Sequence, residues 1–159
     1  MVAVRLPVLD ARSGARLNAE SRSLLNRACY EASRLHHPQV RSEHILLALL
    51  RDRRICELLV RMGMTNLDIR AAVDHRIGGG RGVSSDDVTG VELRDVLASA
   101  LEEVAGLGHR RAGNFHWLLG LMKLDDSVAG QVLESFGAGV EGARHEVLEF
   151  VAECDSRAS

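Results

Sequence analysis

The pattern of residues 41–50, RSEHILLALL, recurs in a similar form within residues 112–122, AGNFHWLLGLM. Both copies place a histidine, His44 or His116, just before leucines that are spaced for a buried helix. A phrase that recurs in this way indicates two copies of one structural unit. The largest change of chemical character is at the residue before the histidine, which is Glu43 in the first copy and Phe115 in the second.

The correspondence extends across most of the chain. Apolar, charged and helix-ending residues match at an offset of 72 positions, and a two-residue insertion near Asp125 raises the offset to 74. The sequence therefore predicts an all-α protein with two four-helix repeats, about eight helices, related by pseudo-twofold symmetry in one compact domain. The matched pairs include Arg22 and Arg94, Leu25 and Leu97, Glu31 and Glu103, Leu35 and Leu107, His37 and His109, Gly63 and Gly137, and Arg70 and Arg144.

Helix-ending signals divide the first repeat into its helices. Pro38 and Gly63 are typical of the residues that follow a helix, and Ser42 is the predicted cap at the start of the second helix. The predicted helices run from Glu20 to Leu35, from Ser42 to Leu50, on through Met62 to a stop at Gly63, and from about Asn66 to Ile77.

The sequence predicts five segments. They are an N-terminal extension at 1–17, a first repeat at 18–77, a Gly-rich linker at 78–89, a second repeat at 90–152 and a frayed C-terminus at 153–159. Residues 1–16 are expected to pack extended across the bundle or to be disordered, and Val2–Leu9 is the sole candidate for strand pairing. Thr89 and Glu92 form a capping box that restarts the helical pattern after the linker.

Composition excludes several classes of function. Of the 159 residues 46% are apolar but only 3% aromatic, which predicts an aliphatic core and few rings for stacking on bases. The net charge of −2 predicts no nucleic-acid partner. The apolar patch in residues 1–16 is short and interrupted, which argues against a signal peptide and against any membrane association. Cys29, Cys56 and Cys154 lack paired spacing, so we expect free thiols in the cytoplasm.

Catalytic motifs are lacking in the sequence. It contains neither the G-x-x-x-x-G-K-[ST] phosphate loop nor a G-x-S-x-G nucleophile motif, and Ser84–Asp87 has no histidine close by to activate it. His44 and His116 favour a shared packing or hydrogen-bonding role over metal binding, since no H-x-x-x-H pair occurs. We therefore predict a protein that is not an enzyme, with no cofactor and no metal site.

The repeated phrases carry a resemblance to a known family. A tandem repeat in which EASRLHH is followed by SEHILLALL, with a glycine stop and an Arg-x-x-Val further on, resembles the amino-terminal (Clp-N) repeat domain of Clp-type AAA+ unfoldases, most closely that of ClpC. This resemblance covers about residues 18–152. It implies a module that docks substrates and adaptors of a Clp protease, here without ATPase modules. The implied partners are a ClpC-type unfoldase, its substrates or adaptors, or a small-molecule ligand.

The same resemblance implies a ligand site. In ClpC-like domains the glutamate of the EH phrase helps to bind phosphoarginine, so Arg41, Ser42 and Glu43 are the expected ligand-binding residues. Phe115 has no carboxylate, and we expect Phe115 and Trp117 to serve an apolar ligand or partner contact instead. At most one phosphoarginine-type site per chain follows.

Two alternatives remain open at the level of sequence. Glu43 lies in the first turn of a helix, where a carboxylate also stabilises the helix dipole by about 0.3–1 kcal/mol without binding anything. The whole domain is either a binding module, acting as accessory subunit, substrate-capturing protein or decoy, or a degenerate Clp-N domain that acts only by helix packing or oligomerisation. A polar pocket at Glu43 favours the first, and a large exposed apolar patch favours the second.

Overall fold

A computed structural model describes residues 11–77, 93–137 and 140–158, and the statements below concern these residues. They are helical apart from turns, bends and isolated bridge residues, among which Leu17 and Ala112 form a parallel bridge. The helices are α1 (Ala11–Ala15), α2 (Ala19–Arg34), α3 (Ser42–Leu49), α4 (Arg53–Arg61), α5 (Asn66–Arg76), α6 (Leu93–Gly106), α7 (Asn114–Met122), α8 (Val128–Ser135) and α9 (Val140–Ala158).

The central helices are α3 and α7, the second helices of the two repeats. Every residue of α3 is buried, and α3 contacts both α7 and α8. A helix that is apolar around most of its circumference needs partners on all sides, and α2 covers α3 as α6 covers α7. The predicted all-α fold with two four-helix repeats is confirmed, and α1 is an additional helix ahead of them.

Equivalent glycines end the third helix of each repeat. Gly63 follows α4 with a φ of +85°, and Gly137 follows α8 with a φ of +83°. This left-handed backbone favours glycine because a side chain at Cβ would crowd the carbonyl. In the first repeat it lets the N–H of Met64 donate to the carbonyl of Leu59 at 2.8 Å, which closes the end of α4.

The first helix of each repeat also ends on a left-handed residue. His36 has a φ of +58°, and Gly108, its equivalent, has a φ of +69°. The next residue donates its N–H back to the helix in both cases, from His37 to Ala32 at 2.8 Å and from His109 to Val104 at 3.0 Å. The turn thus places a histidine at the same point in each repeat.

Some sequence predictions differ from the structure. Ser42 is the first residue of α3 and Arg41 is its N-cap, and the backbone N–H of Arg41 is accepted by the side chain of His44 at the third helical position, as in a capping box. Residues 11–15 form a short helix where an extended or disordered segment was expected. Helix α9 continues to Ala158, through most of the segment assigned to a frayed terminus. The strand candidate Val2–Leu9, the linker and the Thr89 capping box lie outside the described residues.

Candidate functional site

A pair of histidines fixes the start of α3. His44 accepts the N–H of Arg41 at its Nδ1, at 2.8 Å, and its Nε2 lies 2.8 Å from Nδ1 of His37. Since Nδ1 of His44 is an acceptor, the proton of the neutral ring is on Nε2, which donates to His37. Burial, and then the charges of His37 and Arg41, lower the pKa of His44 to about 3. The pair is therefore neutral at physiological pH.

The second repeat contains the same pair. His116 accepts the N–H of Gly113 at Nδ1, at 2.9 Å, and its Nε2 lies 2.7 Å from Nδ1 of His109. Burial also lowers the pKa of His116. The expected shared hydrogen-bonding role of His44 and His116 is confirmed: each, at the third helical position, accepts the N–H of its own N-cap residue, as a Glu or Gln does in a capping box.

The first pair lies beside a carboxylate. His37, Glu43 and His44 place one potential metal-ligating atom each within 4.8 Å of one another. A metal bound at Nε2 of His44 would require the ring proton to move to Nδ1, where it would oppose the N–H of Arg41 and break the helix cap. The pair also recurs in the second repeat with Phe115 in place of the carboxylate. We therefore interpret the cluster as a structural histidine pair next to Glu43.

Glu43 is a buried carboxylate without an ion-pair partner among the described residues. It is 3% exposed, and its nearest side-chain hydrogen bond comes from the hydroxyl of Ser42 at 3.4 Å. Ser42 in turn accepts the N–H of Ala129, from α8, at 3.3 Å. Burial raises the pKa of Glu43, and its own backbone N–H, Arg41 and Ser42 only partly oppose this rise. The three predicted ligand-binding residues thus lie together at the start of α3.

Two other glutamates are as deeply buried but are neutralised. Glu31 on α2 forms ion pairs with Arg34 at 3.0 Å and Arg51 at 3.3 Å, and Arg70 lies at 3.9 Å. Its equivalent on α6 is Glu103, which is also paired with two cations. Sequence comparison matched Glu31 with Glu103 and Arg70 with Arg144 but missed that they meet. A charged residue on the apolar stripe in both repeats was the available signal. The partners of Glu103 are Arg144 at 3.1 Å and Lys123 at 3.4 Å.

The start of α7 is built differently. Phe115 is half-buried, with its ring centroid 6.0 Å from that of Phe150 on α9. The guanidinium carbon of Arg54 lies 5.3 Å from the centroid of Phe115, within the range of a cation–π contact. Asn114, at the position equivalent to Ser42, donates its side-chain amide to Asp52 at 2.8 Å. The ring of Phe115 is thus packed by its own chain on two sides.

Trp117 does not lie on a contact surface. It is fully buried in the core, and its indole N–H donates to the hydroxyl of Ser21 at 2.9 Å. The expectation that Trp117 contacts a partner is wrong, because its position in α7 faces α2 of the other repeat. The misassignment has a physical origin: the ring carries a polar N–H that sequence alone cannot show to be satisfied internally.

Exposed apolar side chains are spread over several helices. In the described ranges the large ones are Tyr30 on α2, Val60 on α4, Leu67 on α5 and Leu148 on α9. Between α4 and α9 there is an open groove of about 450 Å³, lined by three arginines and by Cys56, Glu57, Val60 and Phe150. None of the described helices is long and apolar enough to span a bilayer.

Comparisons with known proteins agree with this architecture. The sequence profile of the Clp repeat (R) N-terminal domain matches residues 16–93 and again residues 89–159. The solved structure of the N-terminal domain of the chaperone ClpD from Arabidopsis thaliana superposes with a TM-score of 0.62 at 22% identity, covering 86% of this chain and 97% of that one. This likeness shows a common fold.

Longer relatives share the same region. The chain is 37% identical to the chloroplastic chaperone protein ClpC1 of Oryza sativa subsp. japonica over 126 residues, which is 77% of this chain and 14% of the relative. It is 30% identical to the negative regulator of genetic competence ClpC/MecB of Bacillus subtilis (strain 168) over 146 residues, which is 91% of this chain and 18% of the relative. The chain thus spans less than a fifth of these curated relatives.

Proposed function

The chain belongs to the Clp repeat (R) N-terminal domain family, and from this premise we propose that it is a non-catalytic protein-binding module of the Clp chaperone–protease system. Its binding site is centred on Glu43, and the ligand class is a protein that carries phosphoarginine. The partners are substrates or adaptors of a ClpC-type unfoldase, or the unfoldase itself, for which the chain acts as accessory subunit or decoy.

The observation that carries this proposal is the uncompensated charge of Glu43. Glu31 and Glu103 are equally buried, but each is held by at least two cations. Glu43 has no cation within ion-pair distance among the described residues; the hydroxyl of Ser42 lies at 3.4 Å, and its own backbone N–H and the charge of Arg41 oppose the effect of burial on its pKa only in part. A buried carboxylate without a cation lowers stability, so a purely structural origin explains it poorly. A guanidinium from a ligand would supply the missing partner.

Phosphoarginine fits the chemistry of this helix start. Its guanidinium would pair with Glu43, while its phosphate would lie near the N–H groups of the first turn of α3, where the helix dipole favours an anion. Arg41, partly exposed at the N-cap, adds positive charge for the phosphate. Because Glu43 is 3% exposed, binding requires this turn to be uncovered first, which makes association slower than diffusion.

Calorimetry with free phosphoarginine tests the site. We expect one site per chain in the native protein and a loss of affinity of roughly ten- to a hundredfold in Glu43→Gln, since a charge-assisted hydrogen bond is worth about 1.5–3 kcal/mol. Glu57→Gln, which removes one exposed carboxylate on α4, is the matched control. Two equivalent sites, or a single site indifferent to Glu43→Gln, would contradict the proposal.

A pull-down from native cytosol tests the partner. We expect the chain to retain marked proteins in the absence of a Clp ATPase if it captures substrates, and to retain the ATPase itself if it is an accessory subunit. We propose the cytosol as its location because Cys29, Cys56 and Cys154 are all unpaired thiols, which persist in a reducing compartment.

The same burial of Glu43 favours a second candidate, a domain that acts only through helix packing or oligomerisation. In that case Glu43→Gln leaves partner binding unchanged, and phosphoarginine does not bind at all. Analytical ultracentrifugation of the free chain would then show a self-associated species that persists in Glu43→Gln.

A further inference from the structure

A polar pocket with one aromatic wall lies where the two repeats meet. It is formed by Glu20 from the first turn of α2, Asp52 at the N-cap of α4, and Asn114 and Phe115 from the start of α7. Asn114 joins the two carboxylates: its side-chain N–H donates to Asp52 at 2.8 Å and its backbone N–H donates to Glu20 at 3.3 Å. Two carboxylates beside a ring face are the usual surroundings of a guanidinium.

Arg54 supplies that guanidinium from within the chain. Its Nη2 contacts Glu20 and lies 3.5 Å from Asp52, and its guanidinium carbon is 5.3 Å from the centroid of Phe115. Burial alone would lower the pKa of Arg54, but Glu20 and Asp52 outweigh it and raise the pKa. The Arg54 side chain is 43% exposed, so its departure from the pocket would cost little buried surface.

One polar atom of the pocket remains unpartnered. The amide oxygen of Asn114 is buried and has no hydrogen-bond partner among the described residues, while Asn114 as a whole is 5% exposed. An unsatisfied buried acceptor costs free energy unless a donor reaches it. Arg54 has five N–H donors but, anchored through its stem on α4, gives none of them to this acceptor, whereas a guanidinium from outside the chain is not bound to that direction of approach.

The first repeat lacks this internal cation. The start of α8, equivalent to that of α4, has Val128 and Ala129 where α4 has arginines, so α8 offers no guanidinium to pair with Glu43. The start of α3 therefore has a carboxylate, Glu43, without a cation paired to it. At the start of α7 the cation Arg54 is held by two carboxylates, and all three of these residues come from the first repeat. This contrast is a property of two matched positions in one chain and does not depend on what binds at Glu43.

We propose that Arg54 is an internal ligand: the pocket of Glu20, Asp52, Asn114 and Phe115 is a guanidinium-binding site, and an arginine side chain of a partner protein binds there by displacing Arg54. The site goes beyond the function proposed for Glu43, since it needs neither phosphate nor the first helix start. It remains closed to weak ligands because each must compete with a tethered guanidinium at high effective concentration.

Removal of Arg54 tests the proposal with a simple probe. Arg54→Ala should unfold at a lower temperature than the native protein, and millimolar N-methylguanidinium chloride should raise its Tm in a saturable manner by about 2–4 °C. Sodium chloride at the same ionic strength should not. Arg53→Ala is the matched control, since Arg53 is the adjacent arginine, is 92% exposed and pairs with Glu57 outside the pocket.

The native protein and Arg53→Ala should not show the saturable rise, because Arg54 fills the pocket in both. Equal responses in all three proteins, or a response of Arg54→Ala that persists when Asp52→Asn is added, would overturn the proposal. These outcomes are independent of phosphoarginine calorimetry, so failure here leaves the Glu43 site untouched.

A second measurement avoids variants that fold poorly. In the native chain, ¹⁵N spectra of arginine side chains should contain one Nε–H signal with slowed guanidinium rotation that is missing in Arg54→Lys, which keeps the charge but lacks the planar fork. An excess of arginine amide should release this signal to ordinary exchange. If Arg54→Lys removed none of the slowed signals seen in the native spectrum, Arg54 would not be held in the pocket.

Discussion

In the first repeat the residue before the helix histidine is a buried carboxylate, Glu43, and no cation in the described part of the chain pairs with it. In the second it is a half-buried ring, Phe115, on which Arg54 lies. The histidine pairs behind these residues are nearly identical, with ring nitrogens 2.8 and 2.7 Å apart. The histidines therefore maintain the scaffold, and the position in front of them is where the two halves differ in chemistry.

The largest loss of folding stability is expected from substitutions of the buried, ion-paired glutamates. Glu31→Gln should destabilise the protein by about 2–4 kcal/mol, because it removes the charge that several arginines share. Glu103→Gln should cost less, since Glu103 has two cationic partners and Glu31 has three nearby. Urea unfolding at pH 7 measures both. A greater loss from Glu103→Gln would show that the first cluster is not the stronger one.

Acid should weaken the scaffold through His44. Its pKa is about 3 in the folded protein and near 6.5 when unfolded, so below pH 6.5 the unfolded state binds the additional proton. Stability is then complete above pH 6.5 and falls as pH decreases, by about 2 kcal/mol between pH 6.5 and 5 from this residue. Urea unfolding at the two pH values gives the change.

Glu43 acts with the opposite sign in the same range. Burial raises its pKa, so the folded state holds the proton to higher pH and gains stability as pH falls toward 4.5. Glu43→Gln should therefore make the acid-induced loss steeper. An NMR titration in which His44 changes charge near pH 6.5 in the folded protein would contradict this account.

The left-handed turns offer a smaller, reciprocal test. His36→Gly should stabilise the protein by up to about 1 kcal/mol, because glycine adopts the φ of +58° without a steric penalty. Gly108→Ala should destabilise it by a similar amount at a φ of +69°. Thermal unfolding of both variants measures the difference. Changes of the same sign would show that the two turns are not equivalent.

The smallest effect is expected at Glu43 itself. Glu43→Gln should raise the free energy of unfolding at pH 7 by less than about 1 kcal/mol, since it removes a buried charge that has no ion-pair partner. Urea unfolding in the absence of ligand measures this. A clear loss of stability would instead assign Glu43 to the helix-stabilising role that the sequence left open.

Much of the fold could be predicted from the sequence, because each helix and each helix-ending residue of the first repeat has a counterpart in the second. The helix from Glu20 to Leu35 was predicted within one residue at each end, and the stop at Gly63 was predicted from residue type alone. The Arg41 cap was missed because the side chain that accepts its N–H is a histidine at the third helical position, where a capping box usually has Glu or Gln.

The contacts that define the sites could not be predicted in the same way. Arg54 and Glu20 are 34 positions apart, and Trp117 and Ser21 are 96 apart. Such pairs depend on how the repeats dock, which helical periodicity does not determine. Sequence therefore identified Glu43 and Phe115 as the places where the halves differ, but it could not show that one is buried without a cation and that the other already has one.

The bridge between Leu17 and Ala112 has a consequence for assembly of the chain. The N–H of Ala112 donates to Arg16 at 2.7 Å, and the N–H of Asn18 donates to Ala112 at 3.0 Å. These bonds join the entrance of the first repeat to the second, so they close a long loop and should form late in folding. Separately expressed halves should consequently be poorly ordered alone yet reassociate when mixed, as in a split-protein reporter. The hydrogen bonds between Arg16, Asn18 and Ala112, just before α2, would then form only when both halves are present.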